Sequence, residues 1–409
     1  MEYVKLGDYC TITSSKRIFA HQYVANGIPF YRSKEIIEKN NNENVSSPLF
    51  ISVDVYNEIK QKYGVPSSGD ILLTSVGTLG VPYLVKDETF YFKDGNLTWL
   101  KNFDNRISSN YIYYWLSSSF GKASLLQRAI GSSQPALTIE ILKKYKLFLP
   151  KISEQRRIAS ILSAYDNLIE NNNRRIRLLE QMAENLYKEW FVRFRFPGHE
   201  KAEFENGLPK GWQIAKLGNF IIFERGVGYG AKDIQDGENV LLSMNNLRPY
   251  GGFIRDYSRP YNGKYKDFQK VKKGDLIMSI TDMTQDRRII GYTGIVPPGN
   301  DNRIICTHLM KLTSKESHSY FLDGLFNYSN LSRVIAERAT GANVLGLTAD
   351  ILKGVKTLLP PTCLQTKYVN KVTPIIESIF RLQESNDNLS RQRDLLLPRL
   401  MSGKLEVKV

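Results

Sequence analysis

No stretch of about 18 consecutive apolar residues occurs in this chain, so no segment reads as a membrane-crossing helix. No signal peptide opens it either. The expectation is a cytoplasmic protein without membrane insertion. Cysteine is scarce: Cys10, Cys306 and Cys363 are the only three in 409 residues. An odd, scattered count in so long a chain excludes a disulfide framework and fits a reducing compartment. The four histidines, His21, His199, His308 and His318, show no metal-ligand spacing with one another or with the cysteines, so no metal site is expected. Negative charge is also short. Asp plus Glu number 41 against 56 Lys plus Arg, a net charge of +15. That balance favours a polyanionic partner, most simply nucleic acid, with an anionic membrane surface as the rival.

Catalytic signatures are missing too. A base-amino methyltransferase needs a Phe-x-Gly-x-Gly-like cofactor loop and an Asn/Asp-Pro-Pro-aromatic motif, and neither is present. There is no Gly-x-x-x-x-Gly-Lys-Ser/Thr phosphate loop and no Gly-x-Ser-x-Gly elbow. Gly226-Val-Gly-Tyr-Gly230 follows an apolar stretch but does not match the dinucleotide fingerprint. A metal-dependent nuclease needs an acid-x-Lys pair with a further acid upstream. Glu58-Ile-Lys60 and Glu406-Val-Lys408 have the local form. The first lacks a well-spaced upstream acid, and the second lies in a tail. A self-contained DNA enzyme, such as a nuclease with an unrecognised site, is the alternative reading.

What the chain does have is a heptad seam. From residue 150 to 190 the apolar positions are Ile158, Leu162, Tyr165, Ile169, Ile176, Leu179, Ala183, Leu186 and Trp190, with Asn172 in the one gap. Steps of four and three alternate throughout, a period of 3.5 that calls for a partner helix. Shifting these positions by 210 gives Tyr368, Val372, Ile375, Ile379, Leu382, Asn386, Leu389, Arg393, Leu396 and Leu400. The same shift carries Gly131-Ser-Ser-Gln134 onto Gly341-Ala-Asn-Val344, Leu149-Pro150 onto Leu359-Pro360 and Gln155 onto Gln365. Near the starts of the halves, Lys5-Leu-Gly-Asp8 matches Lys216-Leu-Gly-Asn219, and Gly69-Asp70 matches Gly274-Asp275. One unit is written twice, and two copies of this size imply a pseudo-twofold repeat.

The expected fold is α+β: two mixed, strand-rich domains in a pseudo-twofold repeat, separated by a long antiparallel two-helix coiled coil. The boundaries are a first domain over 1–152, a long helix over 153–191, a linker over 192–213, a second domain over 214–361, a second long helix over 362–403 and a tail over 404–409. Strand composition marks 4–13, 28–31, 70–75 and 81–85. Helix is expected over 110–118, continuing from 119 to 130, and Thr138 is a helix cap. Pro374 marks either a late start or a kink in the second long helix. In the antiparallel register, Asn172 faces Asn386 and Tyr165 faces Arg393, whose stem can lie along the ring.

Binding equipment recurs at matched places. Arg32, Ser33 and Lys34 follow a strand. Ser243, Asn245, Asn246 and Arg248 occupy the equivalent place in the second half. Thr74, Ser75 and Thr78 follow the first Gly-Asp strand. Thr281, Asp282, Gln285, Arg287 and Arg288 follow the second. Ser133 and Gln134 sit in the repeated loop before the Thr138 cap. Such side chains read base edges or grip phosphates, although polar residues after a strand are also ordinary loop residues. Their recurrence in a chain of +15 makes them the candidate DNA-binding set.

The chain resembles a type I restriction–modification specificity subunit over its whole length. The carrying stretches include Pro150-Lys-Ile-Ser-Glu-Gln-Arg-Arg157, Leu179-Glu-Gln-Met-Ala-Glu-Asn-Leu-Tyr-Lys-Glu-Trp-Phe191, Phe196-Pro-Gly198, Gly207-Leu-Pro-Lys-Gly-Trp212 and Gln392-Arg-Asp-Leu-Leu-Leu-Pro-Arg-Leu-Met-Ser-Gly-Lys404. The resemblance implies a noncatalytic subunit whose two target-recognition domains each read one half of a split double-stranded DNA target, spaced by the coil. It implies modification subunits, two of them, and restriction subunits as partners. S-adenosylmethionine, ATP and Mg are then expected on those partners, with no cofactor in this chain.

Overall fold

The computed structural model describes residues 2–41, 45–131, 135–255, 257–300 and 302–407. The chain forms two compact units, Met1–Asn172 with Ser385–Val409, and Asn173–Glu384. The unit boundaries therefore fall inside the two long helices. The class is α+β, as the pattern of the sequence predicts.

In the first unit, residues 4–13 are not one strand. Glu2–Lys5 pairs antiparallel with Lys146–Leu149. The chain then makes a 3-10 turn over Leu6–Asp8 before Thr11–Thr13. The turn is forced by packing: Leu6 is fully buried and its N–H donates to the Tyr145 carbonyl at 2.9 Å. A Cβ on Gly7 would lie 2.9 Å from the Lys143 backbone. The second unit repeats this device: the Leu217 N–H donates to the Val355 carbonyl at 2.8 Å, and a Cβ on Gly218 would lie 2.7 Å from Lys353. The matching Leu-Gly pairs thus mark a close approach of two backbones.

Two four-stranded sheets follow in each unit. The first unit has Thr11–Thr13, Leu97–Lys101, Ile71–Thr74 and Pro82–Leu84 in that spatial order, all antiparallel. Its other sheet orders Tyr23–Val24, Leu49–Ile51, Ile28–Tyr31 and Tyr91–Phe92, with the last pair parallel. The second unit has Ile222–Arg225, Leu309–Thr313, Leu276–Ser279 and Thr293–Ile295, again antiparallel. Its other sheet orders Arg259–Tyr261, Asn239–Leu242, Arg303–Ile305 and Lys270–Val271, with a parallel middle pair. The central strands Ile71–Thr74 and Leu276–Ser279 are buried along their length, which explains their unbroken apolar runs.

Helix Ser109–Ser117 starts where Ser108 Oγ accepts from the Tyr111 N–H, and buries Tyr111, Ile112, Tyr114, Trp115 and Leu116. It does not run on. Ser118 caps a second helix, Ser119–Leu126, by accepting from the Gly121 N–H at 3.0 Å. Competition by a serine side chain for backbone N–H groups ends one helix and starts the next. Thr138 caps Ile139–Lys143 as expected, and Thr348 caps Ala349–Gly354.

The long helices span Ile152–Tyr187 and Thr362–Met401. The first ends in a π-helical turn, Lys188–Val192. The second is unbroken through Pro374. In the first unit, Ile158 and Leu162 share a core with Leu396 and Leu400, and Asn172 Nδ2 donates to Asn386 Oδ1 at 2.9 Å. In the second unit, Ile176, Leu179 and Ala183 share a core with Ile375, Ile379 and Leu382. Partner numbers fall as helix numbers rise, so the packing is antiparallel in the expected register. The Arg393 guanidinium has partners that the heptad pattern does not name. It donates to Asp166 at 2.7 Å and to Asp394, and Asp166 also accepts from the Tyr114 hydroxyl at 2.6 Å. A carboxylate gives a guanidinium a stronger partner than the Tyr165 ring. The repeated Gln also has a structural task. Gln155 is buried, accepts from the Ser108 N–H at 2.8 Å and donates to the Pro150 carbonyl at 2.9 Å. Gln365 donates to the Pro360 carbonyl at 2.9 Å.

Candidate nucleic-acid interface

In the first unit, the Asn96 carbonyl accepts from Ser33 Oγ at 3.3 Å and from the Ser75 N–H at 2.8 Å. One backbone oxygen thus draws the Arg32–Lys34 segment and the 75–80 loop together. That loop bridges onward through Val76 to Ala136, and the Leu137 N–H donates to the Ser75 carbonyl at 3.0 Å. Three sequence-distant segments meet at the ends of the strands. Ser133 and Gln134 belong to the third but lie outside the described residues.

The second unit brings its matching segments together by a similar route. The Ile280 N–H donates to the His308 carbonyl at 3.0 Å, and the Leu347 N–H to the Ile280 carbonyl at 2.9 Å. Thr281–Asp282 pairs with Leu345–Gly346, and Gln285 Nε2 donates to the Ala342 carbonyl at 3.0 Å. The Tyr250 N–H donates to the Arg288 carbonyl at 2.8 Å, joining the 243–252 segment to the 281–292 loop.

The candidate side chains divide by burial. Lys34, Thr78, Asn245, Arg248, Gln285 and Arg288 are exposed. Thr74, Ser75, Asn246, Thr281 and Asp282 are buried. Thr74 Oγ1 accepts from the Val81 N–H at 2.9 Å, and Ser75 Oγ meets Thr98 Oγ1 at 2.5 Å. Asn246 accepts from the Ser243 N–H at 2.9 Å and donates to the Ile254 carbonyl at 3.1 Å. Asp282 accepts from Thr284 and from the Ile289 N–H at 3.2 Å. Thr281 Oγ1 meets His308 Nδ1 at 3.1 Å. These buried groups shape the loops, so their role is to hold the exposed set in place.

Arg32 and Ser33 are half-buried. The Arg32 guanidinium pairs with Glu35, which is fully buried. Burial alone acts to raise the Glu35 pKa, but the Arg32 hydrogen bonds outweigh it and hold the carboxyl below its ordinary range. Arg248 pairs with Glu180 of the long helix at 2.8 Å, and Arg288 with Asp286 at 3.0 Å. Both pairs are solvent-accessible, the kind that adds little to stability. Arg287 has φ +53°, and its Nε is buried without a hydrogen-bond partner among the described residues.

In the glycine stretch 226–230, Gly226 is explained by packing. A Cβ on Gly226 would lie 2.1 Å from the Cys306 carbonyl oxygen, where Val227 bridges to Cys306. Of the nuclease-like triples, Glu58 pairs with Lys62 on an exposed helix face at 2.8 Å, and Lys408 of the other lies outside the described residues. Among the described residues no group of three or more His, Cys, Asp and Glu is placed to hold a metal, and no helix is long and apolar enough to cross a membrane. Cys10 and Cys306 are buried and Cys363 is exposed. Burial pushes the Cys10 thiol up to about 12.

Residues 1–181 match the family model of the type I restriction modification DNA specificity domain. The chain is 28% identical over 363 residues to the type I restriction enzyme MjaIX specificity subunit of Methanocaldococcus jannaschii, covering 83% of this chain and 78% of that one. It is 31% identical over 186 residues to the putative type I restriction enzyme specificity subunit S.HindORF215P of Haemophilus influenzae, covering 45% of each. Among solved structures, the type I restriction-modification S subunit from M. genitalium superposes with a TM-score of 0.62 at 16% identity, over 98% of this chain and 95% of that one, a likeness of fold. In matched sequence the chain is similar to type I restriction–modification specificity subunits, and it shares the fold of a solved one.

Proposed function

We propose that this chain is the sequence reader of a type I restriction–modification complex, and that each recognition domain, residues 1–152 and 214–361, reads one half of a bipartite double-stranded DNA target. The observation that carries this reading is the repeated convergence of three loop segments at the strand ends, once in each unit. The exposed members of the candidate set, with Arg287, supply the contacts: Lys34 and Thr78 in the first unit, Asn245, Arg248, Gln285 and Arg288 in the second. Cations position the duplex on its phosphates, and the amides and hydroxyls read base edges. Two modification subunits bring S-adenosylmethionine, and restriction subunits bring ATP and Mg. The chain itself contributes binding and spacing.

The test is an exchange of residues 214–361 for the equivalent domain of a relative, followed by mapping of methylated adenines in cells that also carry the modification partner. One half of the methylated target changes and the other half stays. If both halves change together, or neither does, the two units do not read independently.

A further inference from the structure

We infer that Tyr250, a residue outside the candidate set read from the sequence, is a specificity-determining contact of the second unit, which lays its ring against a base step of the half-site. The inference rests on the reading of residues 214–361 as a DNA-recognition domain. Arg248, Pro249, Tyr250 and Gly251 form a tight turn, closed by the Gly251 N–H on the Arg248 carbonyl at 3.0 Å. Pro249 suits the second position of such a turn. The third position requires positive φ and normally takes glycine. Here it is Tyr250, at φ +65°, with glycine at the next two positions. A bulky side chain in the left-handed region is strained, and such strain persists only where the surroundings impose it.

The surroundings do impose it. The Leu247–Phe253 bridge closes the turn from below, and the Arg248 N–H donates to the Gly252 carbonyl at 3.0 Å. The Gly252 N–H donates to the Thr293 carbonyl at 2.8 Å. Thr293 is in turn clamped by Asn327, whose Oδ1 accepts from its N–H at 3.1 Å and whose Nδ2 donates to its carbonyl at 3.2 Å. A Cβ on Gly251 would lie 2.5 Å from the Asn327 side chain, so the turn sits directly on that amide. Asn327 also donates to Asp323 at 2.8 Å, which accepts from Thr293 Oγ1 at 2.8 Å.

What this frame presents is an aromatic ring in solvent. Tyr250 is 62% exposed, and its ring meets Tyr292 with the centroids 5.8 Å apart at 90°. Its N–H is bonded to Arg288, beside Arg287, the other left-handed non-glycine residue at this surface. An apolar ring flanked by two guanidinium-bearing residues is suited to a base between its phosphates: charge for the backbone, ring for the base. Among the described residues the first unit shows no counterpart, since helix Ser33–Asn40 follows the equivalent strand there. A difference of this kind is what distinct half-sites require.

The test uses the full chain with its modification partner and two synthetic duplexes, one carrying the target mapped by methylation and one with the second half-site scrambled. Tyr250→Gly relieves the backbone while removing the ring. It is expected to lose about tenfold or more of the affinity for the target duplex, to bind the scrambled duplex like wild type, and to melt no lower than wild type. Tyr250→Phe keeps target binding. Wild-type discrimination by Tyr250→Gly, equal loss on both duplexes, or a lowered melting temperature overturns the inference. If domain exchange still rewrites the second half-site in that case, only the role of Tyr250 is lost; if exchange fails, the reading beneath it is lost.

Discussion

At the scale of single residues, the clearest consequence of packing is at Asp323. Loss of hydration pushes its carboxyl up to about 7, against the hydrogen bonds from Thr293 and Asn327 and the nearby Arg248 charge, which act to lower it. An unfolded aspartate titrates near ~3.9. The folded state therefore holds the proton more tightly, and the stabilisation this provides is present below pH ~4 and lost as the pH rises through about 7. Asp323→Asn removes that titration while retaining a carbonyl acceptor for Thr293. Urea unfolding across this range should show wild type losing stability relative to Asp323→Asn between pH ~4 and ~7, and a constant difference above it. Parallel profiles would place the carboxyl in ordinary contact with water. Residues of this kind are hard to find by sequence. Thr74 and Asn246 have the same chemistry as the exposed Thr78 and Asn245 close by in the chain. What separates them is the direction of the side chain, and a loop without periodicity does not encode that. Tyr250 was hidden for the opposite reason: an aromatic residue reads as core until the turn that exposes it is known.

Elements were more legible than sites, because burial leaves a period in the sequence. The heptad seam predicts both long helices and their antiparallel register. The pairing of Asn172 with Asn386 follows from setting the two polar interruptions opposite each other. Pro374 leaves the second helix intact, since interior packing of Val372, Ile375 and Ile379 outweighs one lost backbone bond. Where prediction failed, the cause was a non-periodic contact. Leu6 breaks a strand by reaching into the core, Ser118 splits a helix by capping it, and the Arg393 guanidinium pairs with Asp166. The amide pair supports a direct test of register. Asn172→Ala, Asn386→Ala and the double variant form a thermodynamic cycle, with an expected coupling of roughly 0.5–1.5 kcal/mol for a largely buried neutral hydrogen bond. Additive losses would mean that the apolar seam alone sets the register.

At the scale of the whole molecule, the net charge of +15 and the repeat together constrain how binding depends on salt. Each cation on a phosphate releases condensed counterions, so the slope of log affinity against log salt counts such contacts at about 0.9 each on duplex DNA. Lys34 and Arg288 are exposed cations at matching surfaces of units with separate cores. Lys34 meets Glu38 only at 3.8 Å, and Arg288 pairs with a carboxylate that is itself 63% exposed, so neither charge is committed to the fold. Lys34→Glu and Arg288→Glu should leave the melting temperature near wild type. Each should weaken binding to target and to unrelated duplex alike and lower the salt slope by about 1, with the double variant additive. A base contact behaves differently: it costs ~1–3 kcal/mol on the target alone, leaves the slope unchanged and relaxes one position of the methylated sequence. Fluorescence anisotropy at three salt concentrations on both duplexes separates the two outcomes for each unit. If either reversal leaves affinity and slope at the wild-type values, that unit's converging loops face away from the duplex, and its reading surface must be sought on another side of the domain.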